Sequence, residues 1–397
     1  MWTRLLAAFC AALLLLPAAA HADIEETIAK LAPNGLVLVL DSDGKELVAQ
    51  NADEPFVPAS VAKIVTAWLA MEVLGGDYRF ETRFYVDAKR VLHVRGGGDP
   101  MLVSEELDLL APALLAATGK EPFTGMVLDG SYYPAKLEIP GIEDSDEAYD
   151  ALNSALAVNF NTINAVRSGN TVKSAEAQTP ITPLAISQFL ARGPKGKGRI
   201  SLTQEDPSIS ILYAGELIAA FIEKAGGKID GAISLGPVPD GLKPVYVHRQ
   251  SRDLAEILRL LLLGSNNYIA NQVFLEIGAD LLGGPVSLDK SLRVANQILA
   301  KHGLAKAIHL EEGSGISRDN RFTARGLAEV LDLFAPHAQL MRRTKSGSRY
   351  KTGTFSGVRT LAGIAKTKDH DDVRFVISLS GGGKLRFRLL EAIEREL

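Results

Sequence analysis

The sequence predicts an α+β fold in which an antiparallel sheet flanked by helices is built from both chain ends, with a β-rich region inserted between them. Three observations carry this. Strand-like runs stand near both ends, helical periodicity dominates the stretch before the last strands, and the middle third changes texture.

In chain order, residues 1–22 read as an export segment. Arg4 gives a positive start, Leu5 to Leu16 are apolar, and Ala20-His21-Ala22 supplies small residues at a cleavage position. The apolar stretch is shorter than the roughly 20 residues a membrane-spanning helix needs. The lone cysteine, Cys10, lies within it, so the exported chain from Asp23 is expected to hold neither disulfides nor thiolate metal sites. A composition of 47% hydrophobic and 23% charged residues is that of an ordinary globular protein, and a net charge of -4 argues against a nucleic-acid partner.

Residues 35–49, "GLVLVLDSDGKELVA", place two alternating apolar runs around Asp41 to Lys45, which predicts a hairpin with a glycine-containing turn. Residues 58–74, "PASVAKIVTAWLAMEVL", predict a helix with no charge between Lys63 and Glu72. From Arg79 to about Val247 short strand-like runs alternate with proline-rich linkers and isolated helical segments such as "YAGELIAAFIEKAGG". Helical periodicity returns with Ser251, Ser287 and Thr323 as N-cap candidates and Gly303 as a stop. The strands "RYKTGTFSGVRTLAGIA" and "DVRFVISLSGGG" precede a last helix whose Leu390, Ile393 and Leu397 share a face. That face is expected to pack on the sheet, with a membrane-surface anchor as the alternative. The expected division is 23–76 plus 245–397 for the sheet domain and 77–244 for the insertion.

Ser-x-x-Lys occurs four times, at Ser42, Ser60, Ser287 and Ser348. Residues three apart share a helix face, and a serine needs a base within about 3 Å to become a nucleophile. Ser42 falls in the hairpin turn, Ser348 and Lys351 fall on opposite sides of a strand, and Ser287 suits an N-cap. Only Ser60 opens a helix apolar nearly all round. Burial there would push Lys63 toward the neutral amine a base must be, and the helix start aims N–H groups at the serine. Taken alone, a capping serine with a solvated lysine is an equal reading.

Ser265-Asn266-Asn267 lies between two apolar helical runs, where a hydroxyl for proton relay and a side-chain amide for a peptide carbonyl can meet Lys63. By itself Ser265 reads as a helix cap. Lys351-Thr352-Gly353 opens a strand able to pair with an extended substrate, whereas Lys345-Ser346-Gly347 reads as a loop.

In that order, Ser-x-x-Lys, Ser-x-Asn and Lys-Thr-Gly form the motif set of the penicillin-binding proteins and serine β-lactamases. "GGGDP" (96–100), "ALAVNFNTINAV" (155–166), "GSGISRDNR" (313–321) and "KTGTFSGVRTLAG" (351–363) resemble the low-molecular-mass class C D-alanyl-D-alanine carboxypeptidases and endopeptidases. The long gap from Lys63 to Ser265 is also similar to that family. The resemblance implies a β-lactamase/transpeptidase-like domain and a periplasmic serine peptidase that cleaves peptidoglycan stems through an acyl-enzyme, is acylated by β-lactams and needs no metal or cofactor. It further implies Ser60 as nucleophile, Lys63 as base and Ser265 as relay to the leaving amine. Asn267 would hold the substrate amide, Lys351 with Thr352 the terminal carboxylate, with Gly353 completing the motif, and the N–H groups of Ser60 and Thr354 the oxyanion. The alternatives are a non-catalytic peptidoglycan-binding or β-lactam-sensing protein and a β-lactamase. "DALN" (150–153) offers only a poor match to a deacylating loop.

Overall fold

The computed structural model describes residues 16–202 and 206–397. Most of the expected export segment therefore lies outside the described residues. The chain enters through α1 (Leu16–Leu31), and no helix among the described residues is long and apolar enough to cross a membrane.

The hairpin forms as the alternation predicts. β1 (Leu36–Leu40) and β2 (Glu46–Gln50) pair antiparallel, and the Asp41 carboxylate accepts the N–H groups of Asp43 and Lys45 in the turn. A 3₁₀ turn, Ala59–Val61, then leads into α2 (Ala62–Val73), where every residue from Ala62 to Ala70 is buried.

The insertion follows with β3 (Glu81–Val86), β4 (Val91–Arg95), α3 (Ser104–Thr118), β5 (Gly125–Asp129), β6 (Thr162–Ser168), β7 (Thr171–Ser174), α4 (Pro183–Arg192), β8 (Gly196–Ser201), α5 (Ser208–Lys224) and β9 (Ile233–Leu235). It makes two sheets, β6 between β7 and β8 and a five-stranded one that includes parallel β4, β5 and β9. One apolar cluster, with Phe84, Phe123, Phe189 and Phe221, joins both sheets to the three helices. The expected boundary at 245 moves. β10 (Tyr246–Arg249) pairs with β3, Tyr246 opposite Phe84, so the insertion's sheet closes only at Arg249.

The chain then continues through α6 (Leu254–Gly264), α7 (Asn267–Leu282), α8 (Leu288–Lys301), β11 (Ile308–His309), β12 (Arg321–Phe322), α9 (Ala324–Phe334), β13 (Arg342–Arg343), β14 (Arg349–Phe355), β15 (Val358–Ala365), β16 (Val373–Leu379) and α10 (Leu385–Glu396). Thr323 caps α9 through Gly326 N at 3.1 Å. Ser287 occupies the cap position of α8 without a side-chain bond. Ser251 caps nothing: Asp253 caps α6 through Glu256 N, and Ser251 Oγ donates to the buried carboxylate of Glu106 at 2.6 Å.

The principal sheet runs β13-β14-β15-β16-β1-β2, so strands from both chain ends lie side by side, with Val37 opposite Ile377. Its period-two alternation serves two cores. Leu36, Leu38, Ala362 and Val376 face the helical cluster around α2, α7 and α9. Val37, Val39, Leu361, Phe375 and Ile377 face a layer made by α1 and α10, in which Leu390, Ile393 and Leu397 are buried. The apolar face of the last helix thus packs on the sheet. This α+β arrangement brings the start of α2, the start of α7 and the strand β14 to one cleft.

Candidate active site

Ser60 sits in the 3₁₀ turn that opens onto α2, half-buried, one turn before a wholly buried Lys63. The residue before it, Ala59, holds φ +49°, a left-handed conformation that costs a non-glycine residue on the order of 1 kcal/mol. The turn is clamped from two sides. Thr360 Oγ1 of β15 donates to Pro58 O at 2.8 Å, and a Cβ on Gly353 would stand 2.7 Å from that same carbonyl oxygen. A Cβ on Gly315 would stand 2.0 Å from Ala59 O. Both glycines are therefore required by close approach to the serine turn.

Lys63 Nζ lies 3.1 Å from Ser60 Oγ, 2.7 Å from Asn267 Oδ1 and 2.6 Å from Ser314 O. Burial pushes its ammonium down to about 7, with Glu312 acting in the opposite direction. A neutral amine has two N–H donors and one lone pair. The two shorter contacts are to acceptors that cannot donate from that atom, which leaves the lone pair for the Ser60 hydroxyl.

Asn267 is the first residue of α7, where Asn266 caps the helix by accepting from Ile269 N at 3.1 Å. The Asn267 Nδ2 donates to Tyr149 O of the insertion at 3.3 Å. Ser265, the residue that ends α6, has φ +58°. Its hydroxyl lies 2.7 Å from Lys351 Nζ, which also donates to Thr352 O at 2.7 Å. Lys351 is 1% exposed and its Nζ donates to the Ser265 hydroxyl. On a strand, the alternation that buries Lys351 and Gly353 turns Thr352 and Thr354 the other way, half-buried and exposed. Burial, then the nearby Lys63, Arg342 and Arg386, drive the Lys351 ammonium well below its ordinary range. The Ser265 hydroxyl, expected near Lys63 for a proton relay, is bonded to Lys351.

β13 pairs only with Arg349 and Tyr350, so beyond them, among the described residues, the outer edge of β14 carries no neighbouring strand through the Lys351 to Phe355 stretch. An unpaired strand edge can take a substrate chain in extended form.

The decoys separate cleanly. Lys290 donates to Gly283 O and Pro285 O at 2.6 and 2.7 Å, Ser348 Oγ donates to Glu394 at 2.5 Å, and Lys345 lies in a loop. The Asp150 carboxylate of "DALN" accepts from Ser145 Oγ at 2.5 Å within its own loop. "ALAVNFNTINAV" forms a structural bend in which Asn159, Phe160 and Asn161 all have positive φ. In "GGGDP", Gln272 Nε2 donates to Gly98 O at 2.9 Å and Gln250 Nε2 to Asp99 Oδ2 at 2.8 Å, which ties the insertion to α7 and to the end of β10.

Sequence reasoning missed four contributors. Tyr149 supplies the carbonyl on Asn267, Ser314 the carbonyl on Lys63, and Glu312 the buried carboxylate behind it. Arg386 of α10 donates to Gly353 O at 2.6 Å and to Thr360 O at 3.0 Å. The one available signal was the position of Ser314 inside "GSGISRDNR", two residues after Glu312.

A D-alanyl-D-alanine carboxypeptidase of Actinomadura sp. (strain R39) is 28% identical over 444 residues, covering 93% of this chain and 82% of that protein. Carboxypeptidase DacB of Mycolicibacterium smegmatis is 25% identical, covering 89% and 78%. Among solved structures, penicillin binding protein 4 of Haemophilus influenzae superposes with a TM-score of 0.75 at 20% identity, over 93% of this chain and 97% of that one. That likeness establishes the transpeptidase-like fold. The model of the D-Ala-D-Ala carboxypeptidase 3 (S13) family matches residues 20–189 and 192–343, and the chain belongs to that family.

Proposed function

We propose that the serine-type D-Ala-D-Ala carboxypeptidase or endopeptidase activity that this family membership brings is carried out in the Ser60 cleft, on peptidoglycan stem peptides or cross-links. The single observation that carries the reading is the division of the Lys63 bonds. Ser314 O at 2.6 Å and Asn267 Oδ1 at 2.7 Å take its two donors, and the lone pair is left facing Ser60 Oγ at 3.1 Å.

Lys63 takes the Ser60 proton as Oγ attacks the carbonyl of the scissile amide. The oxyanion forms between the N–H groups of Ser60 and Thr354, at the open edge of β14. Collapse of the tetrahedral intermediate breaks the C–N bond. The leaving amine receives its proton from Ser265 Oγ, whose hydroxyl is restored by the proton that Lys63 took from Ser60, while Lys351 at 2.7 Å holds that hydroxyl in place. Water then hydrolyses the acyl-enzyme. Asn267 Nδ2 exchanges its Tyr149 partner for a substrate carbonyl, and Thr352 with Thr354 meets the terminal carboxylate, while Lys351 acts through Ser265 because its ammonium is buried. The same attack opens a β-lactam ring, so β-lactams acylate Ser60. The protein is exported and works at the cell wall, with residues 1–22 as its leader.

The test is labelling of the purified protein with a fluorescent penicillin beside the Ser60→Ala variant. Equal labelling of the two proteins refutes the assignment of the nucleophile. D-alanine release from a pentapeptide stem measures the peptidase reaction, and failure with both pentapeptides and cross-linked muropeptides refutes it.

A further inference from the structure

Glu312 is a glutamate with no exposure to solvent, and it forms no ion pair among the described residues. Its Oε2 accepts Ser314 N at 2.7 Å and Ser314 Oγ at 2.6 Å. Its Oε1 accepts Asn320 Nδ2 at 2.9 Å and Ser317 N at 3.3 Å. Four donors thus surround a buried carboxylate that no cation touches, and these bonds are what offset its desolvation.

If Glu312 were only a loop tie, nothing would require the charge. Its position indicates more. The loop it organises runs from Gly313 to Ser317, and the Ser314 carbonyl of that loop holds Lys63 Nζ at 2.6 Å. The same loop is pinned to the helices on either side, with Gly313 N donating to Asn271 Oδ1 at 2.8 Å and Thr66 Oγ1 donating to Gly313 O at 2.5 Å. Gly315 lies against the strained Ala59, next to the nucleophile.

We infer that Glu312 is a positioning residue for the reaction, fixing the carbonyl that orients the Lys63 amine and supplying the buried negative charge that this amine faces. The inference rests on the proposed roles of Ser60 and Lys63. The groups around Lys63 are Glu312 from the loop, Lys351 from β14, Asn267 from α7 and Ser60 from its own turn. Asn267 and Ser60 are uncharged. Lys351 is driven well below its ordinary range, so Glu312 is the charge that opposes the effect of burial on Lys63. Burial alone would carry the ammonium lower than about 7, and the carboxylate holds it near neutrality.

The experiment is the pH profile of the acylation rate, followed with a chromogenic β-lactam, for the wild-type protein, Glu312→Gln, Glu312→Asp and Ser314→Ala. Removing the negative charge favours the neutral amine, so the acid limb of Glu312→Gln moves to lower pH by roughly half a unit or more. Its plateau rate falls about tenfold or more as the loop loses its acceptor. Glu312→Asp keeps the charge and leaves the limb near the wild-type position. Ser314→Ala, which removes one bond to Glu312 and spares the charge, lowers the plateau without moving the limb. An unmoved limb in folded Glu312→Gln, or a wild-type plateau in Ser314→Ala, overturns the inference. Should Glu312→Gln fail to fold, a limb in Glu312→Asp displaced by half a unit or more overturns it, since that variant retains the charge. Acylation surviving in Ser60→Ala is a different result, and it refutes the catalytic reading instead.

Discussion

Replacing Lys63 by methionine should change how stability depends on pH, and the size follows from the burial of its amine. Lys63 goes from an ordinary 10.5 in the unfolded chain to about 7 in the folded protein. Between those values the unfolded chain holds a proton that the folded protein has released. Stability therefore rises with pH, at a slope approaching about 1.4 kcal/mol per unit. Integrated from pH 7 to pH 10, the wild-type protein gains about 3.5 kcal/mol from this group, and Lys63→Met gains none of it. Other groups titrating in the window, Lys351 and the buried tyrosines among them, are present in both proteins and cancel to first order. Urea unfolding of the two proteins at half-unit steps measures the difference. The methionine variant also leaves Ser314 O and Asn267 Oδ1 without a donor, which offsets its absolute stability but not the slope. Stability curves that run parallel from pH 7 to pH 10 would refute a depressed Lys63, and with it a neutral base at the start of the reaction.

Three further outcomes are expected. Gly315→Ala brings a Cβ to 2.0 Å from Ala59 O at a position with φ +77°, so it should lose about 2 kcal/mol or more in thermal melts and slow acylation at least about tenfold; an unchanged acylation rate would show that the contact is dispensable. Arg386→Ala frees the carbonyls of Gly353 and Thr360 and should raise KM for peptide substrate by about tenfold while changing kcat less, read from steady-state kinetics. Burial raises the Asp99 carboxyl from 3.8 to about 6, so the folded protein keeps a proton that the unfolded chain loses, and stability falls by about 2 kcal/mol as pH rises from 4 to 6. Asp99→Asn should abolish that slope in urea unfolding, and an identical slope would place the titration elsewhere.

What could be read from the sequence was what neighbours along the chain determine. The hairpin around Asp41, the wholly apolar continuation after Lys63 and the packing face of the last helix follow from periods of two and 3.6. Helix position and the uncharged run after Lys63 separated Ser60 from three decoys, and the order of the three motifs favoured it over a capping serine. Features that depend on distant partners stayed hidden. Tyr246–Arg249 reads as any short strand, and only its pairing with Glu81–Phe84 assigns it to the insertion. Ser251 has the composition of a cap, yet the buried Glu106 carboxylate, 145 positions away, claims its hydroxyl. The strand alternation at Lys351 told which residues share a side, but not that the lysine's side is the closed one. Glu312 lacked any local pattern, because its meaning lies in a carbonyl two residues on that meets a helix 251 positions away.

The cleft concentrates departures from what a stable chain would choose. Two lysines and a glutamate are buried, and Ala59 and Ser265 both adopt positive φ without being glycine. Each costs free energy on its own, and none is needed to close the hydrophobic clusters around it. Their positions share one logic. Ala59 aims Ser60, and Ser265 ends α6 in the conformation that turns the chain directly into α7, where Asn267 reaches Lys63. The depressed amines then need a rigid frame, since water entering beside Lys63 would restore its ordinary basicity. That frame is α2, buried without interruption from Ala62 to Ala70, held between the helices of one core and clamped by β14 and β15 at its opening turn. With Lys63 in the proposed role, the long apolar run after it is part of the chemistry: it keeps solvent from the amine, and a helix with one polar face at that point would leave an ammonium where the proposed reaction requires a base.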